Sequence, residues 1–239
     1  VSSLGSQMTF LALPWFVLVT TGSAARMGIV LAAELVPVAL LGVPSGGVIA
    51  RYGARRTMMV ADLCRAPVLA AVPFLHSLGL LDFWLLIVLV ALVGVFIAPS
   101  FAAQRLVLPE LVGEDETVVA QANAVFEGVL RATGLLGPVT AGVLIAAFGA
   151  PAVLYADAVS FLFAFVMLWL FVPQRPPKAP TEASRGVLAG VHFIRASHVL
   201  SAVAGTALLV NMFSQMLVAA LPVLAYDDFD GNPRVAGAF

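Results

Sequence analysis

Gly46 to Met59 reads GGVIARYGARRTMM, with three arginines in six residues and long apolar runs on either side. Three guanidiniums cannot enter hydrocarbon cheaply, so they hold this stretch at a membrane surface, where an anionic leaflet attracts them. Gly53 permits the tight reversal that joins two antiparallel helices. The flanking runs, near 27–49 and 57–76, meet the length of about 20 apolar residues that a bilayer core requires. The stretch therefore reads as a charged turn between two membrane spans.

Composition extends that reading to the whole chain. Of 239 residues, 62% are hydrophobic and only 10% charged, and the mean hydropathy is +1.06. Soluble domains carry about 25% charged residues. A net charge of -1 gives no reason to expect a nucleic-acid partner. The single cysteine, Cys64, excludes an internal disulfide, and His76, His192 and His198 lack ligand spacing, so no metal site is expected. With no GxxxxGK[ST] the chain has no nucleotide-hydrolysing loop of its own, and no cofactor is expected. Val1 to Val19 lacks the basic start and cleavage site of a signal peptide. The closing RVAGAF reads like the opening of another apolar run, so we expect a piece of a longer chain.

Turns, prolines and charges place spans near 4–21, 27–49, 57–76, 82–102, 121–147, 151–172 and 199–222, with an eighth starting near 235. Alternating ten-residue strands are absent, which excludes a barrel. The expected fold is an all-α polytopic membrane bundle. With the amino terminus cytoplasmic, the inside loops hold Arg51, Arg55, Arg56, Arg105, Arg175, Lys178, Arg185 and Arg195, against Arg26 and Arg234 outside. Eight basic residues against two set the orientation.

The longest connection, 173–198, carries four prolines in its first eight residues and reads as an extended cytoplasmic linker. Gly186–Ser197 could close it with an interfacial helix. Residues 1–172 then form a six-span half, and 199–239 begin a second. A repeat supports the division: SQMTFLALP at Ser6–Pro14 matches SQMLVAALP at Ser214–Pro222 at six of nine positions, offset by 208.

The opening stretch also resembles the signature of the major facilitator superfamily, Gly-x-x-x-Asp-Arg-x-Gly-Arg-Arg. Gly46, Arg51, Gly53 and Arg55 stand at matching places, and Arg56 follows. Ala50 replaces the Asp, and Ala54 the first of the paired arginines. ADLCRA at Ala61–Ala66, ANA at Ala122–Ala124 and DAVSFLF at Asp157–Phe163 are similar to the branch holding enterobactin-type exporters and macrolide-type efflux proteins. The resemblance implies a twelve-span transporter in two rocking halves. It also implies that the loop latches those halves together, a role that the missing acid weakens. Gly134, Gly137, Pro138 and Gly142 resemble part of the antiporter motif of exporting members. They also form small-residue stripes that let helices approach closely, with Pro138 favouring a kink.

Polar residues inside spans are functional hypotheses by default. Glu127 and Arg131, at i,i+4, read as a local pair near the bilayer centre, either structural or part of a substrate or proton site. Glu34 has no opposite charge within its own turn and is a candidate proton carrier. Asp157 reads as a helix-packing contact, and Asp62 with Arg65 as a pair near the inner face. The resemblance implies that the first helix of each half lines the cavity, which nominates Gln7, Thr9, Asn211 and Gln215 as pathway residues.

The expected function is a secondary transporter of a bacterial cell membrane, not an enzyme. It exports amphipathic small molecules, driven by protons, with the lipid bilayer as its setting and a monomer as its full-length form. Alternatives are an uptake permease of the same fold, the membrane half of an ATP-driven transporter, or a membrane enzyme.

Overall fold

The computed structural model describes residues 2–42, 44–113, 115–173, 195–228 and 236, without the side chains of 108–110, 215, 218–219 and 227–228. The principal helices are α1 (Ser2–Thr21), α2 (Ala24–Leu41), α3 (Ser45–Tyr52), α4 (Ala54–Ser77), α5 (Phe83–Val112), α6 (Glu116–Phe148), α7 (Ala150–Phe171) and α8 (His198–Asp228). Among the described residues six of them are long and apolar enough to cross a membrane. The expected spans correspond to these helices, with two differences. The second breaks at Leu41, and Pro44 opens the separate helix α3. The fourth and fifth run on past their expected ends, to Val112 and back to Glu116, leaving a short turn capped by Asp115. Most of the linker, including most of Gly186–Ser197, lies outside the described residues, as does the start of an eighth span apart from Ala236.

Two single glycines make the sharpest reversals. Gly53 (φ +82°, ψ 152°) separates α3 from α4, and Gly149 (φ +82°, ψ 159°) separates α6 from α7. This backbone region is essentially closed to residues with a Cβ. Each glycine still closes the preceding helix, Gly53 through its N–H to Ile49 O at 2.7 Å and Gly149 to Ile145 O at 2.8 Å.

Apolar surface gains nothing by leaving lipid for protein, so packing must come from close fit and polar contacts. Three glycines supply the fit. A Cβ at Gly94 of α5 would collide with the Glu34 backbone of α2, and one at Gly5 of α1 with Asp157 and Ser160 of α7. One at Gly137 of α6 would run into Gln7 of α1. Helix α1 is thereby the most enclosed span, 61% buried, with α2, α6 and α7 around it. Leu11, Phe16, Leu69, Val72, Leu154 and Phe161 fill the core. Trp15 lies inside and meets Tyr226 of α8 edge-to-face at 6.2 Å between ring centroids. Trp84 and Trp169 are exposed near helix ends, as expected of interface anchors.

Candidate functional site

The charged loop is mostly helix. Gly46, Ala50 and Arg51 belong to α3, Gly53 is the turn, and Arg55 and Arg56 open α4. Arg55 reaches α7, where its Nε donates to Leu168 O at 3.2 Å and an Nη to Trp169 O at 2.9 Å. The last carbonyls of a helix lack intrahelical partners and carry the negative end of its dipole, so a guanidinium there satisfies both needs. Arg55 thus joins two helices of one bundle, a role that its sequence position did not disclose. The Arg51 guanidinium lies 5.5 Å from the Tyr52 ring centroid. Arg56 stands beside an apolar cavity of about 610 Å³ between α2, α3, α4 and α5.

The antiporter-like motif and one pathway candidate come together. Gly137 is seated on Gln7 Cβ and backbone, and a Cβ at Gly134 would lie 3.4 Å from Gln7 Nε2. Gly137 and Gly142 are buried in the α6 seam, and Pro138 lies inside the helix. Thr9, two residues further along α1, is buried, and its hydroxyl has no hydrogen-bond partner.

The local pair between Glu127 and Arg131 is corrected by the structure. Glu127 Oε1 lies 3.2 Å from Arg105 Nη2 of α5, with both side chains substantially exposed, and Arg131 is exposed as well. The cause is helix length. Because α5 continues to Val112, Arg105 is a helical residue facing α6 instead of a loop residue. Asn211 is exposed and donates from Nδ2 to Ala207 O at 2.9 Å, so its amide is engaged by its own helix. Gln215 lies in α8, and its side chain falls outside the described residues, which leaves its expected partnership with Gln7 there too.

Glu34 is buried, and the acid–base pair expected at Asp62 and Arg65 is part of something larger. Asp157 of α7, Asp62 of α4 and Glu34 of α2 all act electrostatically on Arg65, Asp157 most strongly. The Arg65 guanidinium lies 4.0 Å from the Phe161 ring centroid, a cation–π contact. Its Nη2 donates to Ser6 Oγ at 3.5 Å, the long limit of a hydrogen bond. Asp157 Oδ1 accepts from Ser160 Oγ at 2.9 Å, and Thr9 Oγ1 faces the same carboxyl without reaching bonding geometry. Two further polar atoms, Glu34 Oε2 and Arg65 Nε, are buried without partners.

Asp157 is therefore more than a packing contact, and Arg65 lies deeper than the inner face. It is eleven residues into α4, about 16 Å at 1.5 Å per residue. That depth and the i,i+3 spacings Asp62/Arg65 and Asp157/Ser160 were the signals available in the sequence. Among the described residues no group of His, Cys, Asp and Glu has the geometry to hold a metal ion.

Comparison with known proteins accords with this architecture. A family model described as "transmembrane secretion effector" matches residues 1–239. The multidrug efflux pump Tap of Mycolicibacterium fortuitum is 31% identical over 208 residues, covering 84% of this chain and 51% of that protein. Tap of Mycobacterium tuberculosis is 26% identical over 201 residues, covering 81% and 48%. The staphyloferrin A transporter of Staphylococcus aureus is 30% identical over 183 residues, covering 76% and 45%. The chain spans about half the length of these curated relatives. A charged helical turn, six apolar helices closed by glycine contacts and a match along the entire sequence agree: the chain belongs to the major facilitator superfamily of membrane transporters, within its transmembrane secretion effector family.

Proposed function

We propose that this chain is the amino-terminal part of a proton-driven exporter of amphipathic small molecules, working by alternating access, with its amino terminus in the cytoplasm. The observation that carries the direction of transport is the seam in which Gly134 and Gly137 of the antiporter-like motif receive Gln7 of α1. Relatives named as a multidrug efflux pump and as a siderophore transporter support the same direction and an organic cargo. Residues 1–172 act as one half, 173–198 as linker and 199–239 as the start of the other half. On this division the repeated Ser-Gln-Met segments occupy the first helix of each, α1 and α8.

Gln7, Thr9, Glu34, Arg105, Glu127 and Arg131 are the polar groups that this part contributes to the substrate and proton pathway. Asn211 and Gln215 belong to its counterpart. The loop of Gly46, Arg51, Gly53, Arg55 and Arg56 anchors the cytoplasmic face and acts in gating.

The test is ethidium transport by cells expressing the full-length gene product. Export should lower ethidium accumulation, and a protonophore should abolish the difference from cells without the protein. Ethidium accumulation raised by expression would indicate uptake instead. Export surviving the protonophore while following ATP would indicate an ATP-driven machine.

A further inference from the structure

The cluster around Arg65 is larger than a structural pair needs. Three carboxylates on three helices act on one guanidinium, and a single arginine balances only one of them. Leaving the others charged in a membrane interior costs several kcal/mol apiece after relaxation. The cheapest way to balance that charge is a proton.

The orphaned atoms show where the arrangement can change. Glu34 Oε2 is an acceptor with nothing donating to it, and Arg65 Nε is a donor with nothing accepting from it. Unsatisfied groups of this kind are expensive in hydrocarbon. Protonating Glu34 relieves the first, and closing Glu34 onto Arg65 relieves both. The two solutions differ by one proton and by the spacing of α2 and α4, so the cluster is a two-state element that proton binding can bias. The groups acting on Arg65 from the packed helices are Glu34 of α2, Asp62 of its own helix and Asp157 of α7. Helix α1 adds the hydroxyls of Ser6 and Thr9, α7 adds Ser160, and α5 presents the uncharged Gly94 to Glu34.

Access is visible at one end. Asp62 also lines a cavity of about 400 Å³, together with Ser2, Ser3 and Gln104, at the amino-terminal end of α1. It sits one helical turn from Arg65, on the same face of α4. The same carboxyl therefore touches the cavity and the buried charge.

We propose that Glu34, Asp62 and Asp157, gathered about Arg65, form a proton-binding site inside this bundle, loaded through the cavity that Asp62 lines. The site is separate from the exposed Arg105–Glu127 pair. Each loading step transfers one proton from water to a carboxylate, and no other bond is made or broken. The coupling of this site to transport rests on the proton-driven reading above.

The test is infrared spectroscopy of the purified full-length gene product in lipid vesicles. It follows the carbonyl stretch of protonated carboxyl groups, identified by its shift in D2O. The wild type should show such a band, rising as pH falls, and Glu34→Gln and Asp157→Asn should each remove part of it. Asp62→Asn should slow its response to a pH jump. Glu34→Asp, which keeps a titratable group, should restore the Glu34 contribution. A band unchanged by all three neutral variants overturns the site, as does stability lost with no change in the band.

A second arm measures ethidium export driven by an imposed pH gradient. A driven wild type whose Glu34→Gln, Asp62→Asn and Asp157→Asn variants are driven equally overturns the role of the site. A wild type indifferent to the gradient, with the Glu34 band present, overturns the proton-driven reading and leaves the site standing.

Discussion

At the scale of single residues, two glycines of α6 that look alike in sequence have opposite surroundings. Gly137 is pressed onto Gln7, whereas a Cβ at Gly128 would meet nothing within 4 Å. Gly137→Ala should therefore force α1 and α6 apart at a cost of about 1–3 kcal/mol, the usual range for overpacking. Gly128→Ala should cost nothing and gain a little helix propensity. Thermal unfolding in detergent, with the two variants side by side, checks the contrast. Asp115 offers a second check in the short turn before α6, outside the membrane spans. Its side chain accepts from the Thr117 hydroxyl and from the Thr117 and Val118 amides. The Thr117 hydroxyl bond first, then the amides, holds its carboxyl below the ordinary value of 3.8. A group with a depressed value in the fold stabilises fully above its unfolded value and loses that contribution as pH falls through the folded one. Hydrogen exchange at the Thr117 and Val118 amides should thus accelerate, relative to an Asp115→Asn variant, as pH drops below 3.8.

At the scale of helices, the sequence located spans well because the bilayer imposes a length and a polarity that can be read directly. It located helix ends poorly where polar residues prolong a helix beyond its apolar run. Arg105 and Gln104 looked like loop residues and are helical, and Glu116 to Ala120 looked like an approach to span five and are already inside α6. That error in length caused the wrong partner for Glu127. The candidate site was legible in part. Gln7 and Gly137 were each visible, one from a repeat and the other from a motif, but their contact depends on how α1 crosses α6. The role of Arg65 depends in turn on α2 and α7 arriving beside α4, and no spacing within α4 encodes that. Arg55 teaches the same lesson, since its partners are carbonyls 113 and 114 residues away. Arg55→Ala should destabilise the contact of α4 with α7 by about 1 kcal/mol, and Arg55→Lys by less, because a lysine keeps the charge but not the fork. Unfolding of the two variants in the same detergent measures both.

At the scale of the molecule, the exterior is apolar, with Trp84, Leu135, Phe148 and Phe171 each more than two-thirds exposed. Such a surface suits a lipid environment, and the basic residues then decide which end faces inward. With Cys64 replaced by serine, a cysteine placed at Gly113, between α5 and α6, should react with a membrane-impermeant maleimide only from the cytoplasmic side. One placed at Leu80, between α4 and α5, should react only from outside. Labelling of intact cells against inverted vesicles reads this directly, and reversed reactivity would turn the assigned orientation over.

The grip of Arg55 on the Leu168 and Trp169 carbonyls has a mechanical consequence. The chain leaves α7 only two residues beyond Trp169, while Arg55 itself stands two residues beyond the Gly53 turn. A pull on the chain where it departs from α7 is therefore delivered through one stiff side chain to the α3–α4 hinge. Tension and turn angle at this end of the bundle become a single degree of freedom.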